Sequence, residues 1–493
     1  MDFSQFELKH EESEQRMRYV RSLPPGAHIH LSAICGTGMG SVASLLKQLG
    51  YRISGSDKAF YPPMGDVVRS LTSEIYEGYR PENLAAGPAL VVIGNNLSAD
   101  NPEVKETLAR GIAFASMPEV IGALLIRTRA EVPTSIVVSG THGKTTTTAA
   151  IATMLEKAGR SPGFMIGGVP LDLPGQVRPG TREVVTEGDE YDSAFFAKWP
   201  KFLSYRPDIL IITSIEFDHA DIYENIGEIE REFDRLVSLV PETGTVFVST
   251  DSLSLQKLSG RWRETVKARL VTYGKGGELE VLERKPIGSG QELRLRLLNS
   301  EILLRTPLSG PQNAVNLLVA AGVGEQVGLS PEVLASGLSQ FRGVLRRQTD
   351  HGIYGSAKLI EDFAHHPTAV ALTLQGIRES NPGKRIIAAF EPRSNTTRRG
   401  FFQDEYPQSL SLADVVLMPE QKDEKVYSAT SITAEPLNVL RMVERIQALG
   451  KEAHCFPDTQ TLAEWIVRNR GADDVVVCMS NGDFGGLISR LKS

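Results

Sequence analysis

Residues 139–150 read SGTHGKTTTTAA. The run before them, SIVVS (135–139), is β-branched and apolar, the composition of a buried strand. Behind them Ile151, Leu155 and Ala158 mark a helix that Gly159 closes. A short loop between such a strand and helix aims consecutive backbone N–H groups at one spot, and the helix N-terminus adds partial positive charge there. Gly140, Thr141, His142 and Gly143 therefore form a candidate phosphate cradle. Lys144 would reach outer phosphates, and Thr145, with Thr146 beside it, would offer a hydroxyl to Mg²⁺. The usual P-loop spacing wants one more glycine at position 138, where this chain has Val138. The alternative is a glycine-rich turn that caps a helix and binds nothing.

Working outward, strand-like and helix-like runs alternate in three blocks, which predicts α/β domains with parallel sheets. A charged helical extension over residues 1–25 ends at Pro24-Pro25-Gly26. The first block, 26–130, opens with HIHLSAI (28–34). A helix follows, with Val42, Leu45, Leu46 and Leu49 on one face, and then the strands YRISGSD (51–57) and ALVVIGN (89–95). The second block, 131–335, begins around RTRAEVPT. It holds the cradle, the strand DILIITSI (208–215) and an amphipathic helix from Ile226 to Val240. Residues 265–305 read as hairpin strands with glycine-rich turns. The third block, 336–493, alternates again through KLIEDF, KRIIAAF, DVVLMP and VVVCMS.

The totals bound the function. The chain has 493 residues, is 41% hydrophobic and carries a formal net charge of −7, which disfavours nucleic acid or an anionic membrane as partner. No apolar run approaches the roughly 20 residues of a membrane span. The three cysteines, Cys35, Cys455 and Cys478, are far apart and lack metal-ligand spacing. These features lead to the expectation of a cytoplasmic protein.

Two acidic segments, TEGDEYDSAFF (186–196) and SIEFDHADIY (214–223), each fall just past an expected strand. Parallel sheets place ligands at the carboxyl ends of their strands. Glu187, Asp189, Glu190, Asp218, His219 and Asp221 are therefore candidates for one Mg²⁺ site near Thr145. The plainer reading is that each is a solvated loop acid. In the first block Gly36-Thr37-Gly38-Met39-Gly40 resembles a dinucleotide-binding loop, although Ser41 sits where the third glycine belongs. Asp57 lies about where a ribose-reading acid would be. A tight turn is the alternative. His28 and His30 read as strand residues without a catalytic role.

GTHGKTTTTA, EGDEYD, IEFDHADIY, GPQNAVN (310–316), FRGVLRR (341–347) and EDFAHHPTAV (361–370) occur in the order found in the Mur ligase family, the ATP-dependent amide ligases of bacterial cell-wall synthesis. The family's own loop is the short form GTxGKT, which accounts for Val138. The resemblance runs from about residue 28 to the end. It implies three domains: a Rossmann-like domain for UDP-N-acetylmuramate, a P-loop ATPase domain and a Rossmann-like peptide-binding domain. Two branches of the family share HHP after an acidic pair. One adds L-alanine to UDP-N-acetylmuramate; the other adds the tripeptide L-alanyl-γ-D-glutamyl-meso-diaminopimelate during wall recycling. ICGTGMG, DKAFYPPM (57–64), EYDSAFFAKWPKF, FEPRSNT (390–396) and MSNGDFGG (479–486) resemble the second branch, since alanine ligases show a HRYTR-like string in place of PRSNT.

By the resemblance, Lys144 contacts the β- and γ-phosphates, Thr145 and Glu187 hold one Mg²⁺, and His219 holds a second metal. Glu190 stands in for Glu187 if that assignment fails. Asn313 meets the adenine side, Asp362 lies near the ribose, and Arg347, with Arg346, reaches the transferring phosphate. Gly36 to Gly40 cradle the UDP diphosphate. His365, His366, Arg393, Asn395, Ser480 and Asn481 are expected to face the peptide. Arg393 is otherwise a surface ion-pair partner, and Arg398 and Arg399 read as a solvated face. The chain departs from many relatives in having no lysine over 221–240 to bridge two metals, and in Gln312 where histidine or tyrosine is frequent. A non-catalytic nucleotide-sugar sensor that kept the fold is the reading from another class.

Overall fold

The computed structural model describes residues 3–60, 64–126, 133–421 and 435–493. Residues 61–63 of DKAFYPPM and 127–132 of RTRAEVPT lie outside the described residues. The chain folds into two compact units, Met1–Ile215 with Glu230–Thr272, and Glu216–Ile229 with Tyr273–Ser493. Among the described residues no helix is long and apolar enough to cross a membrane.

Among the described residues, the first unit holds two large sheets and the two-stranded ribbon Asp192–Ala194 with Ala197–Pro200. The five-stranded one runs in the order Ile75–Glu77, Arg52–Asp57, His28–Ser32, Leu90–Ile93, Phe114–Ser116, and every pair is parallel. Its order reverses between His28–Ser32 and Leu90–Ile93. That switch point is where open α/β sheets leave a crevice at their strand ends. The helix Thr37–Gln48 leaves from this crevice with Gly36 as its N-cap. Thr37 to Gly40 are therefore the first turn of a helix, and only Gly36 of the expected loop precedes it.

The seven-stranded sheet places Thr134–Ser139 between Ile209–Ile212 and Glu183–Gly188, parallel to both. Flanked on both sides by strands and covered on both faces, it reads as an unbroken apolar run; Ile136, Val137 and Val138 are fully buried. The strand Arg269–Tyr273 is an edge of this sheet, so the hairpin expectation for 265–305 is corrected at its start. Only Glu280–Ile287, Gly290–Arg296 and Glu301–Thr306 form the antiparallel meander.

The expected extension is a docked helix, Phe3–Ser22. Met17, Val20 and the following Leu23 are buried, and Arg16 donates to Glu119 at 2.9 Å while lying over the ring of Phe196. The second unit is built on a six-stranded sheet. Its edge strand Thr349–Tyr354 is antiparallel to Ala357–Asp362, and the other pairs are parallel. The helix Pro367–Ser380 packs Val370, Leu374 and Ile377 onto that sheet, as their spacing predicts.

Candidate active site

Val138 is paired with Ile211 on one side and with Glu187 on the other. It is thus the penultimate residue of a strand, and the cradle begins only at Gly140. Gly140 has φ +124°, and a β-carbon there would lie 2.3 Å from Thr213 Oγ1 and 2.7 Å from the carbonyl oxygen of Ser214. Only glycine lets the loop turn this close to the neighbouring strand end. The loop is then tied down from that strand end: Thr141 N–H donates to the Ser214 carbonyl at 2.9 Å and His142 N–H to the Ser214 hydroxyl at 3.0 Å. Ser214 is a residue that the sequence reading did not single out. Gly143, at φ +81°, is the N-cap of the helix Lys144–Lys157, which is buried from Thr145 to Leu155.

At this helix start the sheet register sets the chemistry. Glu187, within the strand Glu183–Gly188 and not past its end, accepts the Thr145 hydroxyl at 3.0 Å and the Gly167 N–H at 2.5 Å. Lys144 Nζ donates to Glu190 at 2.9 Å and to the Gly140 carbonyl at 2.5 Å. Burial pushes the Lys144 pKa down, but the carboxylates of Glu190, Asp189 and Glu187 outweigh it and hold the ammonium charged. Asp189 itself takes Lys201 at 2.5 Å. A hydroxyl beside a carboxylate is an all-oxygen donor set of the kind hard cations such as Mg²⁺ take. The residues therefore fit the expected ion.

In the same unit Asp57 ends its strand and accepts the Cys35 N–H at 2.8 Å, which fixes the turn before Gly36. Below this crevice sits Glu103, fully buried. It takes the hydroxyls of Ser32 and Ser56 and the amide of Asn83, each at 2.6 Å, with His30 at 3.5 Å. Burial pushes the Glu103 carboxyl up, but His30 and the hydroxyls win and hold it below its ordinary value. His30 is a structural strand residue, as its sequence context suggests.

The second unit gathers a second set. His219 follows Asp218 in a left-handed turn, φ +54°, closed by Ile222 and Tyr223 N–H groups on its carbonyl at 2.9 and 3.0 Å. Asp218 is buried, which alone would raise its pKa; the nearby His219, His365 and His366 hold it well below the carboxylate range. His365 approaches Asp218 at 3.8 Å, and His366 N-caps the helix Pro367–Ser380 while lying 3.3 Å from Glu216. Both histidines thus turn toward the 216–219 loop. Glu216 also accepts the Thr368 hydroxyl at 2.7 Å.

Arg347 lies over the Phe363 ring at 4.6 Å, and its charge tempers the upward shift that burial gives Asp362. Asp362 accepts the Gln348 and Ala364 N–H groups at 2.8 and 2.7 Å. Asn313, in the first turn of Pro311–Gln326, donates to the Ser309 carbonyl at 2.8 Å.

Around the carboxyl ends of Ile386–Phe390 and Val475–Met479, Ser480 is buried and gives its hydroxyl to Glu391 at 2.5 Å. Arg393 is half-exposed and paired with Asp483 at 2.5 Å, so the surface ion pair is formed here. Asn395 donates to Asp221 at 3.2 Å. Arg399 is only 6% exposed, so the solvated-face expectation fails for it; it donates to the Ala220 carbonyl at 3.2 Å. Its sequence neighbourhood held no sign of this, because the acceptor is 179 residues away.

Three family models match in sequence order: "Mur ligase family, catalytic domain" over 28–129, "Mur ligase middle domain" over 138–324 and "Mur ligase, glutamate ligase domain" over 346–482. The chain is 35% identical over 470 residues to the UDP-N-acetylmuramate–L-alanyl-gamma-D-glutamyl-meso-2,6-diaminoheptandioate ligase of Escherichia coli (strain K12), covering 94% of this chain and 97% of that protein. It is 32% identical to the UDP-N-acetylmuramate–L-alanine ligase of Chlorobium phaeobacteroides (strain BS1), covering 94% and 96%. A crystal structure of a murein peptide ligase from Psychrobacter arcticus 273-4 superposes with a TM-score of 0.70 at 31% identity, covering 94% and 98%. With the cradle, the acidic strand beside it and all three matches in order, the chain belongs to the Mur ligase family.

Proposed function

We propose that the chain joins UDP-N-acetylmuramate to the tripeptide L-alanyl-γ-D-glutamyl-meso-diaminopimelate at the expense of ATP, in peptidoglycan recycling in the cytoplasm. The observation that carries the ATP-dependent part is the Lys144–Thr145–Glu187 cluster at the start of a buried helix. The choice of substrates is supported by the 35% identity to the Escherichia coli tripeptide ligase and by PRSNT at 392–396. The L-alanine ligase is the second reading, favoured by the 32% identity to a protein of that name.

A carboxylate is a poor acyl donor. In the proposed reaction a muramoyl carboxylate oxygen attacks the γ-phosphorus of ATP, and ADP leaves. The peptide amine then attacks the carbonyl carbon and gives up a proton, and phosphate departs. The protein's work is positioning and charge neutralisation. Thr145 and Glu187 would hold Mg²⁺, and His219 a second ion; bound metal supplies neutralisation of phosphoryl charge. Lys144 exchanges Glu190 for the β- and γ-phosphates, which Gly140 to Thr146 surround. Arg347, braced on Phe363, faces the transferring phosphate. Asn313 and Asp362 serve the nucleoside. Gly36 to Gly40 and Asp57 hold the UDP part at the switch-point crevice.

Arg393 can exchange Asp483 for a peptide carboxylate, with Asn481 beside it. On this reading Arg393→Ala raises KM for the tripeptide about tenfold or more and leaves KM for ATP unchanged, since a charged hydrogen bond contributes roughly 1.5–3 kcal/mol. Steady-state kinetics with each substrate varied checks this. An unchanged tripeptide KM would remove Arg393 from the peptide site.

A further inference from the structure

The segment after the strand Ile386–Phe390 does more than border a peptide site. Thr396 is 2% exposed and Arg399 is 6% exposed, and both point at one residue of the loop that carries His219. Ala220 N–H donates to Thr396 Oγ1 at 3.0 Å, and Arg399 Nη1 donates to the Ala220 carbonyl at 3.2 Å. Asn395 adds a third link, to Asp221 at 3.2 Å. Both backbone groups of Ala220 are thus taken by residues far away in sequence. The residue just before it, His219, sits at φ +54°, a conformation that residues with a β-carbon adopt only when their surroundings hold them there.

We infer that Thr396 and Arg399 are positioning residues for His219. They grip the backbone at Ala220 and so fix the direction of the imidazole. The inference rests on the reading of His219 as a metal ligand. It gives Thr396, and Arg399 that was expected on a solvated face, the task of presenting a metal ligand. Partners that orient a ligand in this way typically change metal affinity by about 10–100-fold when removed.

The test uses the full chain as wild type, Thr396→Val, Thr396→Ser and Arg399→Met. Hydrogen exchange over 216–222 is followed without substrates, and Mn²⁺ binding in the presence of a non-hydrolysable ATP analogue is followed by electron paramagnetic resonance. Thr396→Val is expected to speed exchange at Ala220 and weaken Mn²⁺ binding about tenfold, with KM for UDP-N-acetylmuramate unchanged. Thr396→Ser, which keeps the hydroxyl, restores both. Arg399→Met repeats the effect should the valine variant fold poorly. Unchanged exchange at Ala220 in both Thr396→Val and Arg399→Met overturns the inference. Faster exchange with unchanged Mn²⁺ binding overturns the inference that this grip serves the metal, whereas the reading of His219 as a ligand is tested separately by Mn²⁺ binding to His219→Ala. Neither readout depends on which amine the enzyme uses.

Discussion

Lys144 and Gly140 make opposite demands on the same loop. Lys144 must carry charge into a buried place, and three carboxylates keep it charged there. Replacing it with methionine keeps the volume and removes the charge. Turnover is expected to fall by about 10²–10³-fold or more, the usual effect of losing a group that stabilises developing charge, while the fold, followed by circular dichroism, stays intact. Gly140 must stay small. Gly140→Ala drives a β-carbon into the backbone of Ser214, so loss of ATP binding by calorimetry is expected even though alanine is chemically mild. The cradle was legible in sequence because strand, glycine, lysine and helix are adjacent in the chain. Local sequence made Glu187 legible as one of several candidates near Thr145, and only the family resemblance singled it out; its place there comes from pairing with Val138. The burial of Arg399 was not legible, because a guanidinium reads as solvated until its distant acceptor is known.

Among the elements, the N-terminal helix Phe3–Ser22 departs most from its sequence reading. Its charges suggest an extension, yet Met17 and Val20 are buried. Each such side chain contributes about 1.5–3 kcal/mol. Deleting residues 1–22 is therefore expected to lower the thermal midpoint or the soluble yield, whereas a dispensable tail would leave both unchanged. Glu103 ties two strand ends and the short helical turn Pro81–Leu84 together through Ser32, Ser56 and Asn83. Its folded pKa lies below the ordinary carboxyl value of 4.5, so its contribution is present above that pH and is lost as pH falls through the folded value. Glu103→Gln should cost roughly 3 kcal/mol near pH 7, and the gap to wild type should narrow in denaturant titrations as pH falls below the ordinary carboxyl value. Periodicity located the central strands Thr134–Ser139 and Ile209–Ile212 and the helix Ile226–Ser238 to within a few residues, and it left helices such as Leu253–Thr265 and Thr459–Asn469 unmarked. It misassigned Arg269–Tyr273, since an edge strand and a hairpin strand share the same local pattern.

For the whole molecule, the three largest sheets correspond to three consecutive family matches, and strand–helix alternation already implied three α/β blocks. Substrate choice is less legible, because it rests on short scattered segments such as DKAFYPPM (57–64) and FEPRSNT (390–396) rather than on a whole element. It is also the central claim. Phosphate release from Mg-ATP with UDP-N-acetylmuramate should be measured with the tripeptide, with L-alanine and with no amine. Turnover with the tripeptide and little with the other two is the predicted result. Turnover with L-alanine in preference to the tripeptide, or with neither despite nucleotide binding, would contradict it.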